Sequence, residues 1–175
     1  MVDNLIEFDA MISKVRQALQ AIDHPRFFET ERGYQGQFNV QLAGLLHGAE
    51  LEGAIVEEEY QKNMKRHGIR RRPDLIVHVP TAQADRSQGN FTVIQFKRKA
   101  SARKAKADFE ALDEIFDKLK YPFGAFVNIG SSEAFGAAYQ GPHQPRIHFF
   151  ATWQEGNMTK VVHEYFDEAG NLKRS

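Results

Sequence analysis

The chain has 175 residues, 42% of them hydrophobic and 26% charged, which suits one domain burying roughly 70% of its unfolded surface. Lys plus Arg and Asp plus Glu both number 23, so no overall charge points to nucleic acid, a membrane or an acidic substrate, and such a partner has to be argued from local clustering. Cysteine is absent, which excludes disulfides, thiolate zinc sites, iron–sulfur clusters and cysteine nucleophiles.

Residues 4–22 place Leu5, Phe8, Ile12, Val15, Leu19 and Ile22 at spacings of three and four, with Asn4 and Glu7 arranged as a capping box. This predicts an amphipathic helix ending near Pro25. A second helix is expected over about 34–47, where Tyr34, Phe38, Leu42 and Leu45 form an apolar stripe despite Gly36 and Gly44. From Gly53 the period changes: GAIVEEEYQ, RPDLIVHV and NFTVIQFKR are short β-branched and aromatic runs bounded by breakers, and three strands are predicted. Ser101 then caps a helix with Ala105, Phe109, Leu112, Phe116 and Leu119 on one face, ending before Pro122. FGAFVNIG is apolar almost throughout, as a strand buried on both faces would be. A short helix is expected over 132–139. RIHFFATW and TKVVHEYF read as a hairpin over about 146–166, turning at Gly156 and Asn157. The order predicts an α/β fold, a mixed central sheet flanked by helices, in one domain spanning 1–175. The loop TAQADRSQGN (81–90) and the tail GNLKRS are too short to link domains.

The most informative feature is Pro73-Asp74 at the start of one predicted strand and Gln95-Phe96-Lys97 near the end of the next. Side chains at i and i+2 share a strand face, so Gln95 and Lys97 project together while Ile94 and Phe96 enter the opposite layer. If the two strands pair, Asp74 faces the same cavity. Carboxylate and carbonyl oxygens suit a hard cation such as Mg²⁺, usually held by one or two carboxylates plus waters and substrate phosphate.

RRPDLIVHV followed by FTVIQFKRK resembles the PD-(D/E)XK nuclease superfamily, and the order of elements over about residues 30–130 looks like its restriction-endonuclease-like αβββαβ core. The resemblance implies Mg²⁺- or Mn²⁺-dependent cleavage of phosphodiester bonds. Asp74 would hold the metal, Lys97 would orient or activate the attacking water, and the Phe96 carbonyl would be a further metal ligand. Gln95 stands where the pattern usually has Asp or Glu. Losing a unit charge about 4 Å from a cation forfeits up to about 4 kcal/mol at an effective dielectric near 20, so metal affinity falls or another acid compensates. The superfamily usually draws a third ligand from an acid on its first core helix. Glu31 is the candidate, the alternative being a solvated carboxylate ahead of the helix; Glu29 and Glu50 are reserves. Glu57-Glu58-Glu59 forms either a solvated edge or a source of the charge that Gln95 lacks, with Glu57 and Glu59 on one face and Glu58 on the other.

Twelve of the 23 basic residues fall in 21 positions, 62–72 and 97–106, neither of which contains an acid. Arg70, Arg71 and Arg72 lead into Asp74; Arg98, Lys99, Arg103 and Lys104 follow Lys97. Cations at a helix N-terminus oppose its dipole, a cost that a bound phosphate offsets, so both clusters are candidate nucleic-acid contacts, the alternative being a solubilising face. The seven histidines show no metal-ligand spacing. His148 and His163 read as structural, and His78 is a minor candidate base. GxxxxGK[ST], GxGxxG and GxSxG motifs are absent. No run of about 18 apolar residues occurs, and MVDNLIEF lacks the features of a signal peptide, so a cytoplasmic protein is expected. The reading is a metal-dependent DNA endonuclease, possible as a homodimer, with Asp74, Gln95, Lys97 and Glu31 at its site. The alternative is a catalytically inactive nucleic-acid-binding or assembly module of the same fold.

Overall fold

The computed structural model describes residues 3–46, 53–58, 72–80 and 89–175, with side chains from Phe8 onward. Helix α1 spans Asp3–Gln20 and buries Met11, Val15, Ala18 and Leu19. The side chains of the expected capping box lie outside the described residues. A 3-10 turn, Pro25–Glu29, follows, and α2 spans Glu31–Leu45. The second helix therefore starts three residues before the predicted 34. Thr30, extended at φ −134° and ψ 145°, caps it by accepting the Gly33 N–H at 3.0 Å, which satisfies one of the donors a helix start leaves open.

Seven strands form one sheet in chain order: β1 Ile55–Glu58, β2 Leu75–His78, β3 Asn90–Arg98, β4 Phe123–Ile129, β5 Ile147–Glu155, β6 Met158–Phe166 and β7 Leu172–Arg174. β1, β2 and β3 make an antiparallel meander, β4 and β5 run parallel to β3, and β6 and β7 return antiparallel. Helix α3, Ala102–Leu119, is the crossover between β3 and β4; the Ser101 hydroxyl caps it and Lys120 ends it in the left-handed conformation. The fold is thus α/β, a mixed seven-stranded sheet flanked by helices, as the order of predicted elements implied. The three-residue β7 was not foreseen, and the expected helix over 132–139 is a single 3-10 turn, Gly136–Ala138. β7 is too short and too exposed to show a period of two. Glu164 holds it there, pairing with Arg174 at 2.7 Å while accepting the Gly136 N–H at 2.8 Å.

Strand alternation gives the sheet two apolar faces. On one, Leu75, Val77, Ile94, Phe96, Ala125 and Val127 pack beneath α1 and α2; on the other, Ile76, Val93, Phe126, Phe149 and Ala151 pack beneath α3. Every residue of β4 is buried. Gly124 lets α3 approach closely, since a β-carbon there would strike the Phe116 ring.

His148 and His163 hydrogen-bond to each other at 2.7 Å inside a stack containing Phe150 and Tyr165. Burial pushes both imidazoles well below the usual histidine range, and each also loses ground to a nearby positive charge, His163 for one and Arg16 for the other. Below about pH 6.5 the unfolded chain therefore takes up protons that the native pair refuses, and stability falls as pH falls. The melting temperature is expected to drop by several degrees between pH 7 and pH 5. Over the same interval the ring resonances of both residues should keep their neutral signature. A resonance from either that titrates near pH 6.5 contradicts this.

Candidate active site

Antiparallel pairing of β2 with β3 sets the start of one strand beside the end of the other, with Leu75 opposite Ile94. The lead-in Arg72-Pro73-Asp74 consequently lies against Gln95 and Phe96. Asp74 Oδ2 accepts the Phe96 N–H at 2.7 Å, and Gln95 Nε2 donates to the Arg72 carbonyl at 3.2 Å. Gln95 therefore also acts as a pin for the segment that carries Asp74.

Two further acids reach this end of β3. Glu31, the first residue of α2, accepts the Arg98 N–H through Oε2 at 3.0 Å, and its Oε1 stands 3.8 Å from Lys97 Nζ. From the opposite layer, Asp108 of α3 brings Oδ2 to 3.9 Å from the same ammonium. Lys97 is thus held between a carboxylate from each helical layer. Asp108 was not foreseen. The signal was available, because Ala105, Asp108, Phe109, Leu112, Ile115 and Phe116 share the inward face of α3, and an acid on an apolar stripe needs a partner.

Electrostatics mark Asp74 as unusual. Burial, together with the negative charges of Glu31 and Asp108, pushes its carboxyl up to about 6, against the opposing pull of the Phe96 N–H and the Lys97 ammonium. An acid destabilised in its ionised form is what a bound cation would relieve. The oxygen donors suit a hard dication: the Asp74 carboxylate, the Gln95 amide and main-chain carbonyl groups. Among the described residues no three His, Asp or Glu side chains are grouped closely enough to hold a metal ion.

Other candidates stand apart. His78, at the far end of β2, pairs with Glu57 at 2.6 Å, and Glu58 accepts from Asn39 of α2 at 2.9 Å. Both acids are thus engaged away from the Gln95 end of β3, whereas the charges of Glu31 and Asp108 act on Lys97 and Asp74. Glu29 ends the 3-10 turn before α2. Arg72 is exposed beside Asp74, and Lys99, Arg103 and Lys104 are exposed around the start of α3, whose first turn carries no acid. Arg98 donates through Nε to the Phe28 carbonyl at 2.8 Å. Arg70, Arg71, Glu50 and Glu59 lie outside the described residues.

No family model matches the chain, and no curated protein does. The solved structure of P. aeruginosa ATCC27853 NucC in its cAAA-bound form aligns with 98% of this chain and 82% of that one, at 9% identity and a TM-score of 0.46. So distant a match carries no argument about activity. No helix among the described residues is long and apolar enough to cross a membrane.

Proposed function

We propose that this chain is a metal-dependent nuclease that hydrolyses phosphodiester bonds in DNA. What supports the reading is Lys97, held between Glu31 and Asp108 at 3.8 and 3.9 Å beside a carboxyl, Asp74, whose ionisation is made costly by burial. Asp74, the Gln95 amide oxygen and the Phe96 carbonyl would hold Mg²⁺ or Mn²⁺, which when bound neutralises phosphate charge and acidifies water. Lys97 orients the attacking water through an N–H donor and balances charge that develops on the phosphate. Glu31 and Asp108 fix the ammonium in place. Arg72, Arg98, Lys99, Arg103 and Lys104, with Arg70 and Arg71, grip the backbone phosphates and position the strand without reading its sequence. The protein is read as cytoplasmic, and as a homodimer where both strands are cut.

Purified protein with Mn²⁺ is expected to nick supercoiled plasmid, and a chelator is expected to stop it. A second reading is favoured by the Gln95 bond to the Arg72 carbonyl, which employs the amide structurally: a module that binds nucleic acid and has lost its chemistry. Salt-dependent DNA retention without nicking under any divalent ion would select that reading and reject the first.

A further inference from the structure

An open cleft of about 480 Å³ lies beside the candidate site, at the carboxyl ends of the three parallel strands β3, β4 and β5. Its volume falls within the roughly 300–1,000 Å³ of small-ligand sites. Phe28, Arg98, Lys99, Ser131 and Trp153 are among the residues that line it. Trp153 is the single tryptophan of the chain. It is part-exposed. Lys99 is exposed at φ 45°, its stem against Gly130, whose φ is 72°. Arg98 joins the two regions: its side chain bonds the Phe28 carbonyl in the cleft wall, while its main-chain N–H holds Glu31.

We infer that this cleft receives one unpaired nucleotide, with its base against Trp153 and its phosphate at Lys99 and Ser131. The inference rests on the nuclease reading and narrows its substrate class to nucleic acid with a single-stranded end or an extruded nucleotide. An aromatic side chain next to cations is how single strands are held without regard to sequence, since every base has a π-face. A paired base inside a duplex cannot present that face. Glu29, also in the lining, adds an acceptor for a base amino group.

The same chemistry is offered by a strand end and by a free nucleotide, and Trp153 fluorescence tells them apart. The full chain carrying Asp74→Asn, without metal, is titrated with a thymidine hexanucleotide, with thymidine monophosphate and with a blunt duplex. Saturable quenching by the hexanucleotide, with or without the mononucleotide, is expected, and the duplex should quench far less. Response to the hexanucleotide alone identifies a strand as the source, whereas response to both admits the free nucleotide. Lys99→Glu should weaken hexanucleotide binding about tenfold, and Trp153→Leu, followed by anisotropy of a labelled hexanucleotide, by a similar factor, as loss of one stacked base implies. No quenching by either single-stranded probe, or equal quenching by the duplex, overturns the inference. A wild-type chain that nicks plasmid while the titration fails leaves the nuclease reading standing. The reverse pattern rejects the nuclease reading and keeps the nucleotide site.

Discussion

Asp74→Asn is expected to abolish Mn²⁺-dependent nicking and, at the same time, to raise the melting temperature. The two effects have one origin. Burial beside Glu31 and Asp108 raises the Asp74 carboxyl from an ordinary 3.8 to about 6. A raised folded-state value means that this group's stability contribution is full below about pH 4 and is lost as pH climbs through about 6. At pH 7.5 the ionised group costs up to about 3 kcal/mol by the conversion of about 1.4 kcal/mol per pH unit. Asparagine keeps an oxygen to accept the Phe96 N–H and carries no charge, so a gain of roughly 2–10 °C follows for a chain of this size. The gain should shrink toward zero between pH 6 and pH 4, because aspartate in the native protein is then already protonated. Thermal melts of both proteins at pH 7.5 and pH 4.5 check this. An asparagine variant that melts lower at pH 7.5 refutes the electrostatic account of the site. In the active protein nicking should rise as pH passes upward toward 6, with the midpoint displaced downward by added Mn²⁺, since metal and proton compete for one carboxylate.

Lys97→Met should lower nicking by about 10²–10⁴-fold, the usual range for removing a group that handles a proton or charge in the transition state. It should also destabilise the protein, because Glu31 and Asp108 then face Asp74 with no cation between them. Adding Glu31→Gln and Asp108→Asn to Lys97→Met should restore the melting temperature and leave nicking absent. If the triple variant nicks plasmid as well as wild type, Lys97 serves the ion pairs alone. A further readout separates the roles without any turnover. Loss of Lys97 removes the positive charge that lowers the Asp74 carboxyl, so the pH midpoint of Mn²⁺ binding, measured by calorimetry, should move upward in Lys97→Met.

Much of this arrangement was legible in the order of residues, and the reasons differ from element to element. NFTVIQFKR is β3 over its full length, Asn90–Arg98, because alternation and flanking breakers agree there. The same alternation set Gln95 and Lys97 on the face opposite Ile94 and Phe96. Ser101 stood before a clear apolar stripe and is the cap of α3. The start of α2 was misplaced because Tyr34 was the first apolar signal, whereas Thr30 set the boundary through a local hydrogen bond. Asp108 is hidden for a related reason: the apolar residues alone define the stripe on α3, and the acid sits within it. The cleft at Trp153 had no signature at all. Its walls come from the Pro25–Glu29 turn, the end of β3, the turn after β4 and the end of β5, which only the folded sheet brings together.

Strand order that repeats chain order has a consequence for how the molecule is made. Each strand finds its partner immediately upstream, so few long loops have to close, and closure entropy grows with loop length. During synthesis the segment from Glu31 to Ile129, which contains every member of the Lys97 ion-pair cluster, can order before β5 emerges. Helix α1 is the exception. Its end and the loop after it are held by residues far downstream, Ile22 by Thr159 at 2.5 Å and Arg16 by Ser175 at 3.1 Å. Helix α1 can settle on α2 and the first strands once these are made, but the bonds that fasten its end wait for β6 and the last residue of the sheet's far edge.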